Sequence, residues 1–188
     1  MDIKIELENR FDAVSAIIND KRNFPIERLT ELAVFTSKHL SIGKRLAFVG
    51  NGGSAAEAMH IAAEFTGKCV IDHRPLPVLC LNESISSLTA ISNDYGFEYV
   101  FSRQIEAHLS SGDVLVLLST SGKSKNIKEA IKKAKSIGVK CYLWSGENCP
   151  DFDDVEVWRV HSKSTPRIQE IHLVWGHLLS ELVELSVS

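Results

Sequence analysis

The sequence of 188 residues lacks a long hydrophobic run, and its most apolar segment, Val114 to Leu118, is far too short to cross a bilayer. The segment from Met1 to Val14 carries charges throughout and lacks the apolar centre of a signal peptide. Glycine and proline are sparse, at 11 and 5 residues, which argues against a disordered or collagen-like chain. We therefore expect a cytoplasmic, globular protein without a membrane partner.

An excess of basic charge is also missing, because 21 Lys and Arg residues stand against 24 Asp and Glu, a formal net charge of −3. Proteins that bind nucleic acids through phosphate contacts are usually basic. The one lysine-rich segment, Lys123 to Lys140, contains no aromatic residue and is typical of a solvated helix face. We expect no nucleic-acid partner.

Cysteine is scarce, and the residues of this type show no CxxC spacing: Cys69, Cys80, Cys141 and Cys149. A chain of this length buries roughly 70% of its unfolded surface on folding and does not need disulfide bonds. We therefore expect reduced thiols and no zinc site built from cysteines.

Two amphipathic helices are predicted at the N-terminus, over residues 3–20 and from Pro25 to Gly43. Their apolar residues recur at helical spacing, namely Leu7, Phe11, Val14 and Ile18 in the first helix and Leu29, Leu32, Ala33 and Leu40 in the second. We expect residues 1–42 to form a helical extension whose apolar faces pack on the core or on another subunit.

Strands and helices alternate in the rest of the chain, which predicts a parallel sheet with helices on both faces. The strands are expected at 46–49, 77–81, 114–118, 139–144 and 155–160, and the helices at 54–65, 84–92, 97–110, 125–137 and 165–185. Ser124 and Thr165 are expected to cap the helices that follow them, with Pro166 in the first helical position.

Two loops lie at the carboxyl ends of predicted strands, where α/β sheets bind ligands. Residues 50–54, Gly-Asn-Gly-Gly-Ser, allow a ligand to approach the backbone closely and open a helix. Residues 119–124, Ser-Thr-Ser-Gly-Lys-Ser, place four hydroxyl groups at another helix N-terminus. Each loop alone is also compatible with an ordinary strand-to-helix turn, but together they favour a phosphorylated ligand.

Two familiar nucleotide-binding motifs match these loops incompletely. The Walker A pattern fails because its first glycine would fall on Leu117, inside a strand. Gly50, Gly52 and Ala55 satisfy a loose dinucleotide-binding pattern, but the acidic residue expected near position 70 does not follow a clear strand. A dinucleotide-binding module remains one alternative.

Four side chains on two predicted helices are candidates for a divalent metal site or a proton-transfer site. His60 and Glu64 share one face of the first crossover helix, and Gln169 and His177 lie close to one face of the last. Imidazole and carboxylate groups suit zinc or a similar ion. Each residue alone is also typical of a solvated or satisfied helix position, and His172 is a competing candidate on the same helix.

Four segments together resemble the sugar isomerase (SIS) domain, and more narrowly the phosphoheptose isomerase family. They are GNGGSAAEAMHIAAEFTGK, SNDYGFEYVFSRQIEA, GDVLVLLSTSGKSKNI and RIQEIHLVWGH. Asn93 to Phe97, in the second segment, is expected to be a turn between two helices that reaches the site. The resemblance covers nearly the whole chain, including the two leading helices.

The resemblance implies one SIS domain over residues 1–188, a three-layer αβα sandwich with a five-stranded, flavodoxin-like, doubly wound parallel sheet. It implies an aldose–ketose isomerase that converts sedoheptulose 7-phosphate to D-glycero-D-manno-heptose 7-phosphate through an enediol, the first step of bacterial ADP- or GDP-heptose biosynthesis for lipopolysaccharide or capsule. It also implies a homotetramer with active sites between subunits and one zinc ion per subunit.

The resemblance assigns site residues by their matching positions. Glu64 and His177 match the catalytic acid/base pair. The metal ligands would be His60, Glu64, Gln169 and His177. The substrate would be bound by Asn51, Gly52, Gly53, Ser54, Glu64, Asn93, Asp94, Ser119, Thr120, Ser121, Ser124 and Gln169.

Two departures from the family pattern bear on substrate choice. Lys68 stands where an arginine is expected, which keeps the charge but loses the planar fork, and Pro166 replaces an acidic residue found in some members. Two further alternatives are a non-catalytic SIS protein that binds a replication initiator and an SIS isomerase for another sugar phosphate. The presence of both Glu64 and His177 favours an enzyme.

Overall fold

The computed structural model describes residues 1–187, which form twelve regular elements besides two short 3₁₀ turns. The helices are α1 (Ile3–Asn19), α2 (Ile26–Ser41), α3 (Gly53–Thr66), α4 (Ile85–Asp94), α5 (Ser102–His108), α6 (Lys125–Ser136) and α7 (Thr165–Val187). The strands are β1 (Leu46–Gly50), β2 (Val78–Cys80), β3 (Val114–Leu118), β4 (Lys140–Gly146) and β5 (Glu156–Val160). Within residues 1–187, no helix combines the length and the hydropathy needed to cross a membrane.

The five strands form one parallel sheet in the order β2-β1-β3-β4-β5. All five residues of β1 pair in register with the five residues of β3, so that Gly50 lies opposite Leu118 at the carboxyl edge. This strand order confirms the predicted doubly wound sheet and puts its switch point between β1 and β3.

Two apolar clusters, one on each face of the sheet, confirm the three-layer sandwich. Phe48 and Val116 point into a cluster covered by α2, α3 and α7. Val49 and Leu117, one residue further along each strand, point into the opposite cluster with α5 and α6. The strands are therefore apolar on both sides, because helices exclude water from both faces.

The two leading helices differ in how well the single chain covers them. The predicted apolar face of α2 is buried and packs against α7, as Leu32 and Leu40 show at 1% and 2% exposure. The predicted face of α1 is uncovered, and Leu7 and Phe11 remain 56% and 66% exposed. A single chain therefore buries the apolar face of α2 but leaves the apolar face of α1 exposed to solvent.

A buried asparagine fastens the turn between α1 and α2 to the rest of the domain. The Asn23 side chain donates to the carbonyl of Ile17 at 3.0 Å and accepts from the backbone N–H of His161 at 2.7 Å. Its own carbonyl accepts from the indole N–H of Trp175 at 2.7 Å. These bonds satisfy a polar group at 0% exposure and hold the extension against α7.

Several predicted boundaries are wrong in detail. The helix expected at 97–110 is a 3₁₀ turn, Phe97–Tyr99, followed by the short α5, and Thr165 begins α7 instead of capping it. The predicted turn at 93–97 is also shorter, because α4 continues through Asp94 and the chain turns at Gly96, where φ is +108°. Ser124 precedes α6 but makes no side-chain capping hydrogen bond.

A buried carboxylate near the end of α7 holds the loop that follows α3. Glu184 accepts hydrogen bonds from the backbone N–H groups of Cys69, Val70 and Ile71 at 2.5–3.0 Å, and His73 Nε2 lies 3.2 Å away. Burial raises the pKa of the Glu184 carboxyl, but these N–H donors and the charge of His73 outweigh burial, and the net shift is downward. The carboxylate form therefore stabilises the fold.

Replacing Glu184 with Gln should destabilise the protein by about 2–4 kcal/mol at neutral pH, because three hydrogen bonds lose their charged acceptor. Since the folded-state pKa is lowered, the advantage of the wild type is complete above the ordinary value of 4.5 and disappears as the pH falls through the folded-state value. Denaturant unfolding between pH 7 and pH 3, at one protein concentration, measures both effects.

The matched control is Glu181→Gln, on the same helix but outside this cradle. A difference between wild type and Glu184→Gln that stays constant across the pH range would contradict the stabilising role of the charge.

Candidate active site

The two glycine- and hydroxyl-rich loops lie side by side at the carboxyl edge of the sheet. Because β1 and β3 are neighbours in register, the segments 50–54 and 119–124 leave the sheet at the same level. Their helices, α3 and α6, point positive dipole ends towards this edge. The structure thus brings together the two loops that the sequence favours for phosphate binding.

The first loop needs glycine at position 50 for close packing and at position 52 for its positive φ. A Cβ atom at Gly50 would lie 2.4 Å from the carbonyl oxygen of Ser54, and Gly52 has a φ of +56°. A Cβ atom at Gly53 would lie 2.4 Å from Nε2 of Gln169. The loop therefore offers its backbone to a ligand, with Gln169 of α7 lying directly against it.

The second loop is ordered by its own hydroxyl groups. Ser119 Oγ accepts from the N–H of Gly122, and Ser121 Oγ accepts from the N–H of Lys123, both at 3.2 Å. Gly122 has a φ of +64°, and a Cβ atom there would lie 2.3 Å from Sγ of Cys149. Ser124, which caps no N–H of α6, keeps its hydroxyl for other partners.

A cavity of about 190 Å³ opens beside the second loop. Thr120, Ser121 and Lys123 line one side of it, and Lys163 and Thr165 line the other. Hydroxyl groups and two ammonium groups give this cavity the chemistry of an anion site. A larger cavity of about 620 Å³, between α1 and the start of α7, is lined by none of the predicted site residues.

The predicted acid/base residues form a cluster between α3 and α7. Nε2 of His60 lies 2.8 Å from Nε2 of His177 and 3.5 Å from a carboxylate oxygen of Glu64. The two helices approach closely because residue 176 is glycine, where a Cβ atom would lie 2.4 Å from Cδ1 of Ile61. The structure therefore joins His60, Glu64 and His177, three of the four residues that the sequence offers as candidates for one metal or proton-transfer site.

Three other predicted site residues lie away from this cluster. Gln169 contacts the first loop, and eight residues of helix, about 12 Å, separate it from His177. Asn93 and Asp94 lie exposed in the last turn of α4, where Asn93 Nδ2 donates to an oxygen of Asp94 at 2.8 Å. The roles of these residues in metal and substrate binding stay predictions.

Comparison with known proteins identifies the family. The SIS domain family model matches residues 10–142. A phosphoheptose isomerase of Campylobacter concisus is 42% identical over 97% of each chain, and one of Clostridium acetobutylicum is 38% identical over 97% of this chain and 93% of its own. The chain belongs to the phosphoheptose isomerase family.

Solved structures of this family share the fold. The phosphoheptose isomerase of Neisseria gonorrhoeae matches with a TM-score of 0.89 at 32% identity, covering 97% of this chain and 99% of its own. That of Francisella tularensis matches with a TM-score of 0.92 at 25% identity. The resemblance drawn from the sequence motifs is therefore confirmed, together with the α/β fold.

The donor set of this phosphoheptose isomerase family member suits a divalent metal ion. One ligand atom from each of His60, Glu64 and His177 lies within 4.8 Å of the other two. Two imidazole nitrogens and a carboxylate oxygen are ligands that zinc accepts, and catalytic zinc sites commonly use three protein ligands. His60 is 50% exposed at its side chain, so an ion can enter from solvent.

Sequence reasoning missed a buried carboxyl group beneath the first loop. Glu57 is 6% exposed, and burial raises its pKa to about 7, although contacts with Ser54 and Gln169 oppose the shift. Nδ1 of the buried His172 lies 4.0 Å from the carboxylate of Glu57. One feature of the sequence could have pointed to Glu57 as a site residue: it lies three residues before His60, on the same face of the helix.

His172 belongs to the interior and not to the metal cluster. Its ring is 0% exposed and packs against Trp144 and Trp175, with centroids 6.3 and 5.6 Å away. Burial lowers its pKa to about 3, opposed only in part by the backbone of Ser145, so the ring is neutral at pH 7. Of the two histidines on α7 that the sequence offers as candidates, only His177 contacts His60.

Proposed function

We propose that this chain isomerises sedoheptulose 7-phosphate to D-glycero-D-manno-heptose 7-phosphate. The observation that carries the proposal is the cluster of His60, Glu64 and His177 in a domain that also presents two neighbouring loops rich in glycine and hydroxyl groups. Its relatives, named as phosphoheptose isomerases, match across nearly the whole chain. The enzyme is thus an intramolecular aldose–ketose isomerase.

The reaction moves one proton between neighbouring carbons and needs no external oxidant. Loss of a proton from C1 of the ketose and protonation of the C2 carbonyl oxygen give an enediol. Return of a proton to C2 and loss of the proton on the C1 oxygen give the aldose. One base and one acid near both carbons are sufficient for these transfers.

Glu64 and His177 supply these two functions. We assign to Glu64 the transfer of the carbon-bound proton, because its carboxylate is the one anionic base in the cluster. His177 then moves the proton on the oxygens, since an imidazole can donate a proton from one ring nitrogen and accept one at the other. His60 lies 2.8 Å from the His177 ring nitrogen and helps to orient it.

The phosphate end of the substrate is assigned to the two loops. The hydroxyl groups of Ser119, Thr120, Ser121 and Ser124 and the backbone of Asn51, Gly52 and Gly53, with Ser54 beside them, form a largely neutral cradle. Helix-terminal N–H groups bind a phosphate dianion without a net positive protein charge. The mildly acidic composition of the chain is therefore compatible with an anionic substrate.

Zinc is the ion that we propose for the cluster, held by His60, Glu64 and His177. Gln169, the fourth predicted ligand, contacts the first loop in this chain, about 12 Å along α7 from His177, and its ligand role stays a prediction. Held by the three clustered residues, zinc would supply Lewis-acid polarisation of the substrate carbonyl. A coordinated carboxylate is a weaker base, so the ligand role of Glu64 competes with its role in proton transfer.

We further propose a homotetramer whose active sites lie between subunits. Three features support shared sites: the uncovered apolar face of α1, the exposed position of Asn93 and Asp94, and the distance of His60 from the first loop. Seven residues of α3 separate His60 from Gly53, about 10 Å along the helix. A neighbouring subunit can bring a second set of groups to each site.

The product would enter ADP- or GDP-heptose biosynthesis, as its first committed sugar phosphate, for lipopolysaccharide or capsule. We place the enzyme in the cytoplasm, which the four free cysteines support, because a reducing compartment keeps thiols unpaired.

Glu64→Gln and His177→Gln should each lower kcat for sedoheptulose 7-phosphate by about 10²–10⁴-fold, because each removes a proton-transfer group. Product formation is read by NMR of the aldoheptose phosphate, and circular dichroism checks the fold. The matched controls are Glu106→Gln and His108→Gln, which make the same changes on the exposed face of α5. Turnover at the wild-type rate in either site variant contradicts the assignment.

Zinc should be retained by the wild type and lost from His60→Ala, because removal of one imidazole leaves two of the three clustered ligands. The zinc content per chain, measured by mass spectrometry after gel filtration, tests this without reference to activity. His108→Ala is the control and should keep its metal. Equal zinc content in His60→Ala and wild type would place the metal elsewhere.

The tetramer should sediment at about 84 kDa, four times the chain mass of 20.9 kDa. The double variant Leu7→Glu/Phe11→Glu should dissociate the tetramer, because an interface that buries these positions would then desolvate two carboxylates. Sedimentation velocity distinguishes the species. A wild-type chain that sediments at 20.9 kDa at micromolar concentration contradicts the proposal.

A further inference from the structure

The two phosphate-binding loops are joined by a reciprocal pair of side-chain amides. Nδ2 of Asn51 donates to Oδ1 of Asn126 at 2.9 Å, and Nδ2 of Asn126 donates to Oδ1 of Asn51 at 2.8 Å. Asn51 belongs to the first loop, and Asn126 is the second residue of α6, directly after the second loop. Asn126 is 2% exposed and Asn51 is half-buried, so the pair is partly shielded from water.

A third asparagine holds the first loop from the opposite side. Oδ1 of Asn82 accepts from the N–H of Gly50 at 3.0 Å, and its Nδ2 donates to the carbonyl of Gly50 at 2.9 Å. Since Phe48 pairs with Cys80, the position of Asn82 continues the register of β1 with β2. The Asn82 side chain thus takes the place of one pair of strand-to-strand hydrogen bonds beyond the end of β2.

The reciprocal geometry occupies half of the hydrogen-bonding capacity of the Asn51 side chain. The pair uses its carboxamide oxygen and one of its two N–H bonds. Turning either amide alone would oppose oxygen to oxygen and nitrogen to nitrogen, so each amide fixes the orientation of the other. The plane of the Asn51 amide is therefore set by Asn126.

We propose that Asn126 and Asn82 are positioning residues for the isomerase reaction, because they hold the first loop at a fixed distance from the second, and that Asn51 acts through this clamp. The inference rests on the proposed function only in its assignment of the bound group, a sugar phosphate, to these loops. The in-register pairing of β1 with β3 puts the two loops side by side, and the clamp fixes their separation beyond the ends of the strands.

The clamp should control substrate binding more than proton transfer. The anion is held by groups from both loops, whereas Glu64 and His177 lie on α3 and α7, beyond the segment that Asn126 restrains. Loss of the amide pair should therefore raise KM while kcat changes little. A general loss of structure would instead lower the amount of active enzyme, and with it the apparent kcat, and would leave KM unchanged.

The test is a double-mutant cycle on the purified oligomer. Asn126→Ala and Asn51→Ala should each raise KM for sedoheptulose 7-phosphate by about tenfold, since each leaves a partly buried amide unpaired. The double variant should be no worse than either single variant, because one interaction is lost in all three. Asn19→Ala, an exposed asparagine at the end of α1, is the matched control.

Two other patterns of KM values would overturn the clamp. If Asn126→Ala leaves KM unchanged while Asn51→Ala raises it, the Asn51 side chain binds substrate directly and the clamp is overturned. Additive effects in the double variant also overturn it. Asn126→Asp, which keeps the shape but opposes two oxygens, replaces Asn126→Ala if the latter fails to fold, and the same rise in KM is expected.

Two measurements that need no turnover distinguish a failure of the clamp from a failure of the proposed function. If the wild type does not convert sedoheptulose 7-phosphate, titration with inorganic phosphate and hydrogen exchange of residues 50–54 still test the clamp. Weaker phosphate binding and faster exchange in Asn126→Ala support it. Affinity and exchange equal to those of the wild type overturn it.

Discussion

The pairing of β1 with β3 at the centre of the parallel sheet is the constraint on which the site depends. β2 adds to the outer edge of β1, whereas β4 and β5 extend from β3, so the connections leave the carboxyl edge in opposite directions. Chains that diverge in this way leave a crevice. The register of Gly50 with Leu118 puts both loops at its rim, and the N-termini of α3 and α6 supply aligned N–H groups to the same place.

The second constraint is the close contact of α3 with α7 on one face of the sheet. Gly176 lets Ile61 approach, and the next residue, His177, then reaches His60. This contact divides the site, because the loops lie at the start of α3 and the cluster lies about two turns further along. An assembly of several subunits would cover the exposed apolar face of α1 and could bring groups from a second chain to the divided site.

The sequence predicted most elements because apolar periodicity and glycines report local structure directly. β3 was predicted at its observed bounds, and the faces of α2 and of the strands followed from the spacing of their apolar residues. Local patterns were less reliable at helix ends. Ser124 has the residue type of a cap but makes no capping hydrogen bond, and α4 continues through Asp94 instead of turning at Asn93.

The sequence by itself determined the fold class, the family, the two loops and the candidate residues His60, Glu64 and His177, since motif and helical spacing depend on short segments of chain. Only the tertiary structure decided which asparagines hold the loops together, that His172 is buried among tryptophans, and that Glu57 lies beneath the first loop. Partners such as Asn51 and Asn126 are far apart along the chain and meet only through the sheet. Their pairing follows from three-dimensional packing, which no local pattern contains.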